Sequence, residues 1–212
     1  MIEFAVLPYG DCAVLLELAE PAGVLALRDG LLASRHPAIR AVVPAARTVL
    51  VEFEPSLAGP EQIVALAAEC AADRGADRPA GEPVQLPVRY DGADLAAVAE
   101  HCGLSVPTLV ELHSAAEYTV QFCGFSPGFG YLTGLDERLR LPRLATPRTQ
   151  VPAGSVAIAD EYTGVYPTSS PGGWRLLGRT SAVLFDLHRE PPALLAPGTR
   201  VRFVPQPQAV RS

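Results

Sequence analysis

The stretch that decides the fold runs from Phe122 to Thr180 and contains FCGFSPGFGYLTGL (122–135), PRLATPRTQVPAGSV (142–156) and TGVYPTSSPGGWRLLGRT (163–180). Half of the chain's 18 glycines and six of its 21 prolines fall there. Glycine admits positive φ and close backbone approach, and proline fixes φ while removing an amide donor, so the mixture specifies turns of defined shape. Helical periodicity disappears after Tyr118. Short β-prone segments (119–122, 155–159, 174–177, 182–187, 200–204) alternate with turn residues, which predicts a compact barrel. Phe125, Phe129, Tyr131, Tyr166 and Trp174, with Arg143, Arg148, Arg175 and Arg179, are threaded through the run. Rings and guanidinium groups on stiff loops build a pocket for a small anionic ligand or a docking face for a protein. Barrel corners alone demand the same Gly and Pro, so both readings stand at this point.

Upstream, apolar runs at residues 3–7 and 12–18 flank Pro8–Asp11 as a hairpin. Val24, Leu27, Leu31 and Leu32 recur at helical spacing between Ala22 and Arg35, stopped by His36 and Pro37. Extended segments at 41–43 and 48–53 follow, then a helix from Pro60 with Ile63, Leu66, Ala67 and Cys70 on one face. This order predicts an α+β sandwich with helices on one face of a sheet. The polar, Gly- and Pro-containing stretch 73–83 reads as a linker, dividing the chain into domains 1–83 and 84–212. Val84–Tyr90 either completes the first sheet or starts the second domain. Asp94 and Ser105 are placed to cap two short helices, the first closed by Gly103. The tail from Val204 to Ser212 is expected to fray.

Composition excludes several classes of function. With 49% hydrophobic residues, 212 residues can bury a core in each of two domains. A net charge of −6 argues against a nucleic-acid surface. All 17 basic residues are arginine, so neither a P-loop lysine nor a Schiff-base amine on a side chain is available. Cys12, Cys70, Cys102 and Cys123 are scattered, with no C-x-x-C pair, and are read as reduced, mostly buried thiols with no metal site. No apolar run approaches a membrane span and the amino terminus lacks a signal pattern, so a soluble cytoplasmic protein without a membrane partner is expected.

Single motifs say less. Gly128, Gly130 and Gly134 are spaced one residue too long for a dinucleotide fingerprint. Ser155 lacks the G-x-S-x-G frame. His113, near a helix carboxyl end, can be an acid, a base or a phosphate contact, or can simply bond the last carbonyls. Arg143 and Arg148 follow prolines, which suits bidentate recognition of a carboxylate or phosphate as well as an ordinary surface ion pair. Trp174, after two glycines, reads as a barrel-core anchor before a stacking platform.

Taken in order, GFSPGFGYLTGL, PRLATPRTQVPAGSVAIADEYTGVYP and SPGGWRLLGRT resemble the family of B-type 5-oxoprolinase subunits, also called allophanate hydrolase subunit 1 or KipI-type histidine-kinase inhibitors. PYGDCAVLLEL, VELHSAAEYTVQFCGF and LLAPGTRVRF extend the resemblance over nearly the whole chain. It implies a ferredoxin-like α+β domain followed by a cyclophilin-like β-barrel. It also implies a polypeptide inactive alone, which joins a C-type partner (allophanate hydrolase subunit 2 family) and an A-type partner to convert 5-oxo-L-proline to L-glutamate. ATP, with its magnesium, would activate the poorly electrophilic lactam carbonyl, bound together with the partner. The alternatives are a regulatory protein that inhibits histidine-kinase autophosphorylation and, by fold analogy alone, a proline-binding or prolyl-isomerase module. Residue chemistry laid over the family's motifs selects His113, Arg143, Arg148 and Arg179 as catalytic candidates. The substrate-binding set is Phe129, Tyr131, Pro152, Gly154, Ser155, Tyr166, Gly172, Gly173 and Trp174. The chain departs from the family pattern at Ala159-Asp160-Glu161-Tyr162, expected to add acidic charge beside the pocket, and at Gly198-Thr199.

Overall fold

Alternating apolar residues dictate the first sheet, whose strands are β1 (Phe4–Pro8), β2 (Ala13–Leu18), β3 (Ile39–Pro44) and β4 (Thr48–Phe53). All neighbours in it are antiparallel, in the order β1-β2-β4-β3. Val14, Leu16, Leu18, Val49, Val51 and Phe53 point to one side. There they meet Val24, Leu27 and Leu31 of α1 (Gly23–Ala33) and Ile63, Ala67 and Ala71 of α2 (Pro60–Ala72) in a single core. Pro60 stands at the first position of its helix, where a missing N–H costs nothing. The computed structural model describes residues 2–72 and 82–207, and the chain divides into two compact units, residues 1–80 and 81–212. The expected linker, 73–83, lies outside the described residues except for Glu82 and Pro83.

In the second unit β5 (Val84–Val88) is followed by α3 (Leu95–His101), α4 (Val106–Ala115), β6 (Tyr118–Cys123) and β7 (Gly130–Thr133). Then come β8 (Arg148–Val151), β9 (Ser155–Ala159), β10 (Tyr162–Val165), β11 (Ser170–Gly172), β12 (Arg175–Arg179) and β13 (Arg200–Pro205). Seven of these strands form one sheet in the order β12-β9-β10-β7-β6-β13-β5, while β8 and β11 make a separate two-stranded ribbon. The two edge strands of the large sheet meet. Arg89 and Arg179 exchange both backbone hydrogen bonds at 2.9 Å, so the sheet curls into a nearly closed barrel. Gly92 N–H to Leu177 O (3.1 Å) and Asp94 N–H to Leu176 O (3.0 Å) prolong this seam. Glycine is required on both sides of it: a Cβ on Gly178 would overlap the Arg89 carbonyl, and one on Gly92 the Leu176 carbonyl.

The fold class is the expected α+β one. Of the two readings left open for Val84–Tyr90, the second is found: the segment starts the second unit, because β5 pairs in parallel with β13. Other elements are corrected. Residues 182–187 form no strand, only an isolated bridge from Phe185 to Ala193. Strand β13 continues through Pro205, held by β5, where fraying from Val204 is expected; residues 208–212 lie outside the described residues. Cys12 is exposed and Cys70, Cys102 and Cys123 are half-buried, so the expectation of mostly buried thiols fails. Among the described residues no single helix is long and apolar enough to cross a membrane. Helices α3 and α4 pass such a test only together, bent by 93°, and they send Leu95, Val98, Ala99 and Leu109 into the barrel core.

Ser105 caps α4 as predicted, its Oγ accepting the Thr108 N–H at 3.2 Å. Ser105→Ala is expected to lower the unfolding free energy by about 1 kcal/mol, measured by urea denaturation.

Candidate functional site

The loop after β6 is written by its residue types. Pro127 and Gly128 (φ +84°) make the Ser126–Phe129 turn, closed by Phe129 N–H to Ser126 O at 3.0 Å. Just before it, Ser126 N–H bonds Gly124 O at 2.7 Å and forces Phe125 to φ +68°. This is γ-turn geometry, sparsely populated by side-chain-bearing residues. The result is two phenyl rings aimed differently: Phe129 is buried, while Phe125 is 60% exposed at the rim.

Between them opens a hollow of about 290 Å³, solvent included, lined by Phe125, Phe129, Tyr131, Arg143, Tyr166, Gly172, Gly173 and Trp174. Its walls are rings in edge-to-face contact: Phe129 with Tyr131 (5.1 Å), Tyr166 (5.3 Å) and Trp174 (5.3 Å), and Tyr131 with Trp174 (5.5 Å). Gly172 has no room for a side chain, since a Cβ would strike the Tyr166 hydroxyl. Burial raises the Tyr166 pKa above the usual phenol value, so at neutral pH this hydroxyl keeps its proton. Arg143 is bracketed by two ties: Leu144 N–H to Gly173 O (2.8 Å) and Arg175 Nε to Pro142 O (2.9 Å). Among the described residues Arg143 enters no ion pair, so its guanidinium is available to an anion in the hollow.

The other predicted cations are engaged elsewhere. Arg148 does not line the hollow; its Nη2 lies 2.6 Å from Asp94 Oδ1. Arg179 is on the outer side of the seam, 61% exposed, 2.8 Å from Asp91 Oδ2. That same oxygen is 2.9 Å from Arg89 Nε. Pro152, Gly154 and Ser155 form the corner between β8 and β9, and the Ser155 hydroxyl donates to Pro152 O at 2.7 Å. None of the three lines the hollow.

His113 belongs to the barrel core. It is fully buried, and its ring stacks on Phe203 at 4.7 Å. Thr163 Oγ1 donates to Ala157 O (3.1 Å), so that oxygen accepts His113 Nε2–H (3.0 Å), leaving Nδ1 to accept the Tyr90 hydroxyl proton (2.8 Å). One tautomer satisfies the whole chain. Burial drives the His113 pKa down to about 3, so at neutral pH the ring has no charge to offer a phosphate. Tyr118 completes the cluster by donating to the His113 carbonyl at 2.7 Å. The helix-end position that offered an acid, a base or a phosphate contact thus holds a neutral core histidine, because α4 packs this turn inward.

Two residues carry more than their sequence context suggested. Phe125 stands at the rim, signalled by the Ser-Pro-Gly that follows it. Asp94 occupies the cap position of α3 but makes no side-chain cap bond; its carboxylate reaches Leu176 and Arg148 instead. Asp160 and Glu161 form the two-residue hairpin turn between β9 and β10 (Asp160 φ +51°), so they do not add charge to the hollow.

Comparison with known proteins adds family context. Residues 4–195 match the family described as carboxyltransferase domain, subdomain C and D. The chain is 46% identical to the B-type 5-oxoprolinase subunit of Escherichia coli O157:H7 over 213 residues, covering 95% of each chain. It superposes on the crystal structure of TTHA0988 with a TM-score of 0.78 at 38% identity, covering 100% of this chain and 42% of that longer one. The Kluyveromyces lactis urea amidolyase structure shares the fold, with a TM-score of 0.72 at 20% identity over 96% of this chain and 15% of that one.

Proposed function

The chain belongs to the carboxyltransferase subdomain C and D family, and from that premise we propose that it acts as the B-type component of an ATP-dependent 5-oxoprolinase, with residues 1–83 and 84–212 as its two domains. The observation that carries this reading is one guanidinium without an ion pair among the described residues, Arg143, facing an aromatic hollow. 5-Oxo-L-proline is a flat five-membered lactam with one carboxylate. Its ring packs against Trp174, Phe129 and Tyr131, and its carboxylate takes the two-pronged hydrogen bond that a guanidinium offers. The rings keep water from the amide while the arginine fixes its orientation, which is the positioning share of catalysis.

ATP and magnesium do not fit this chain's hollow. One cation, Arg143, faces it, too few for the charge of a nucleoside triphosphate. No group of three or more His, Cys, Asp or Glu side chains comes together to hold a metal ion among the described residues. Nucleotide chemistry then falls to the C-type partner and ring opening to the A-type partner, with this chain presenting the lactam.

Co-expressed with both partners, the chain is expected to release glutamate from 5-oxo-L-proline only when ATP is supplied; a verified, folded assembly without turnover would count against the reading. Arg143→Ala is expected to raise KM for 5-oxo-L-proline by about 10- to 100-fold, the worth of a charge-assisted hydrogen bond. Inhibition of a purified histidine kinase by this chain alone would favour the regulatory alternative.

A further inference from the structure

Trp174 is held by an arrangement that the ring contacts do not explain. Asp94 Oδ2 accepts the Leu176 N–H at 2.7 Å, and the Asp94 N–H donates to Leu176 O at 3.0 Å. Asp94 Oδ1 receives Arg148 Nη2 at 2.6 Å, and Arg148 Nη1 reaches the Trp174 carbonyl at 3.5 Å. Arg148 also stands directly across from Gly172 in the β8–β11 ribbon. One buried carboxylate therefore joins the start of α3, the ribbon and the start of β12. Trp174 is the residue caught between the two tied points, Gly172 and Leu176. In taking this place Asp94 gives up the helix cap its position invites, an interaction typically worth about 1 kcal/mol. Both partners are largely withdrawn from solvent, so the pair is screened less than a surface ion pair.

We propose that Asp94 and Arg148 are positioning residues which hold Trp174 as a fixed wall of the hollow. The ligand then meets a pre-formed surface and does not have to order one. Neither residue touches the ligand; both act through the backbone of Trp174. This inference rests on the reading of the hollow as the lactam site, and its test separates the two.

Trp174 is the chain's single tryptophan, so its emission reports on this wall alone. The full-length chain is compared with Arg148→Met, which keeps the apolar stem, Asp94→Asn, which keeps an acceptor for Leu176, and Arg148→Lys. Each is measured well below its melting temperature by acrylamide quenching and by titration with 5-oxo-L-proline. Arg148→Met and Asp94→Asn are expected to raise the quenching constant about twofold and to weaken 5-oxo-L-proline binding about tenfold. Arg148→Lys is expected to recover part of both, and the double variant to be no worse than the single ones. Were the wild-type chain to bind no 5-oxo-L-proline, the lactam reading would fail, while a raised quenching constant would still support the positioning pair. Wild-type emission and quenching in both Arg148→Met and Asp94→Asn, whatever their melting temperatures, would overturn it.

Discussion

Alanine at Gly178 is expected to prevent the second unit from closing, at a cost on the order of 4 kcal/mol or more. That is a large part of the stability of an ordinary domain. The added methyl would meet backbone, the Arg89 carbonyl oxygen, and no side-chain rotation relieves such an overlap. Either the Arg89–Arg179 bridge opens or β12 leaves β9. Gly92→Ala, which meets the Leu176 carbonyl across the same seam, is expected to behave alike. Gly198→Ala serves as control: its φ is +88° but nothing lies within 4 Å, so only the left-handed backbone is penalised, by about 1–2 kcal/mol. Urea unfolding followed by Trp174 fluorescence measures all three. A Gly178→Ala chain within about 1 kcal/mol of wild type would show that the seam does not hold the barrel together.

The second large effect concerns pH. His113 has a folded pKa near 3, below the value of about 6.5 for an unperturbed histidine. Below pH 6.5 the unfolded chain takes up a proton that the folded one refuses, so this group's contribution is fully present above pH 6.5 and is lost as pH falls toward 3. The slope approaches about 1.4 kcal/mol per pH unit within that window, and the total is on the order of 5 kcal/mol. His113→Gln supplies a non-titrating amide able to donate to Thr163 and accept from Tyr90. It is expected to be less stable than wild type by about 2 kcal/mol at pH 7.5, with the gap narrowing at pH 5.5 and again at pH 4.5. Subtracting the two profiles cancels the carboxylates common to both chains. Parallel profiles would mean that His113 takes up its proton as readily in the fold as in the unfolded chain. A neutral ring with both nitrogens occupied is also a poor acid or base at pH 7.

Elements with strong local signals were legible in the sequence. The apolar run through Val14, Leu16 and Leu18 and the 3.6-residue stripe of Val24, Leu27 and Leu31 locate the first unit's sheet and helix. Pro60 and Ser105 mark helix starts because their chemistry acts on the nearest turn. Strands β7, β8, β10 and β11 escaped because they are three or four residues long, and β7, β10 and β11 also include Gly130, Gly164, Pro171 and Gly172. Long-range pairing makes them strands; intrinsic preference does not. The aromatic part of the hollow was readable, since bulky rings beside glycines seek one another. Which arginine faces it was not. Arg143, Arg148 and Arg179 look alike in sequence, and only the positions of Asp91 and Asp94, tens of residues upstream, separate the unpaired cation from the paired ones.

The parallel partnership of β5 with β13 sets a timetable for synthesis. Val84 opens the second unit and lies beside Val201, near its other end. A nascent chain emerging from the ribosome thus carries β5 for almost the whole translation of the unit without the neighbour that shelters it. Closure must await the emergence of β13, in keeping with the slow folding of topologies that join distant segments. Until then the exposed edge of β5 is an opening for a chaperone or for another strand.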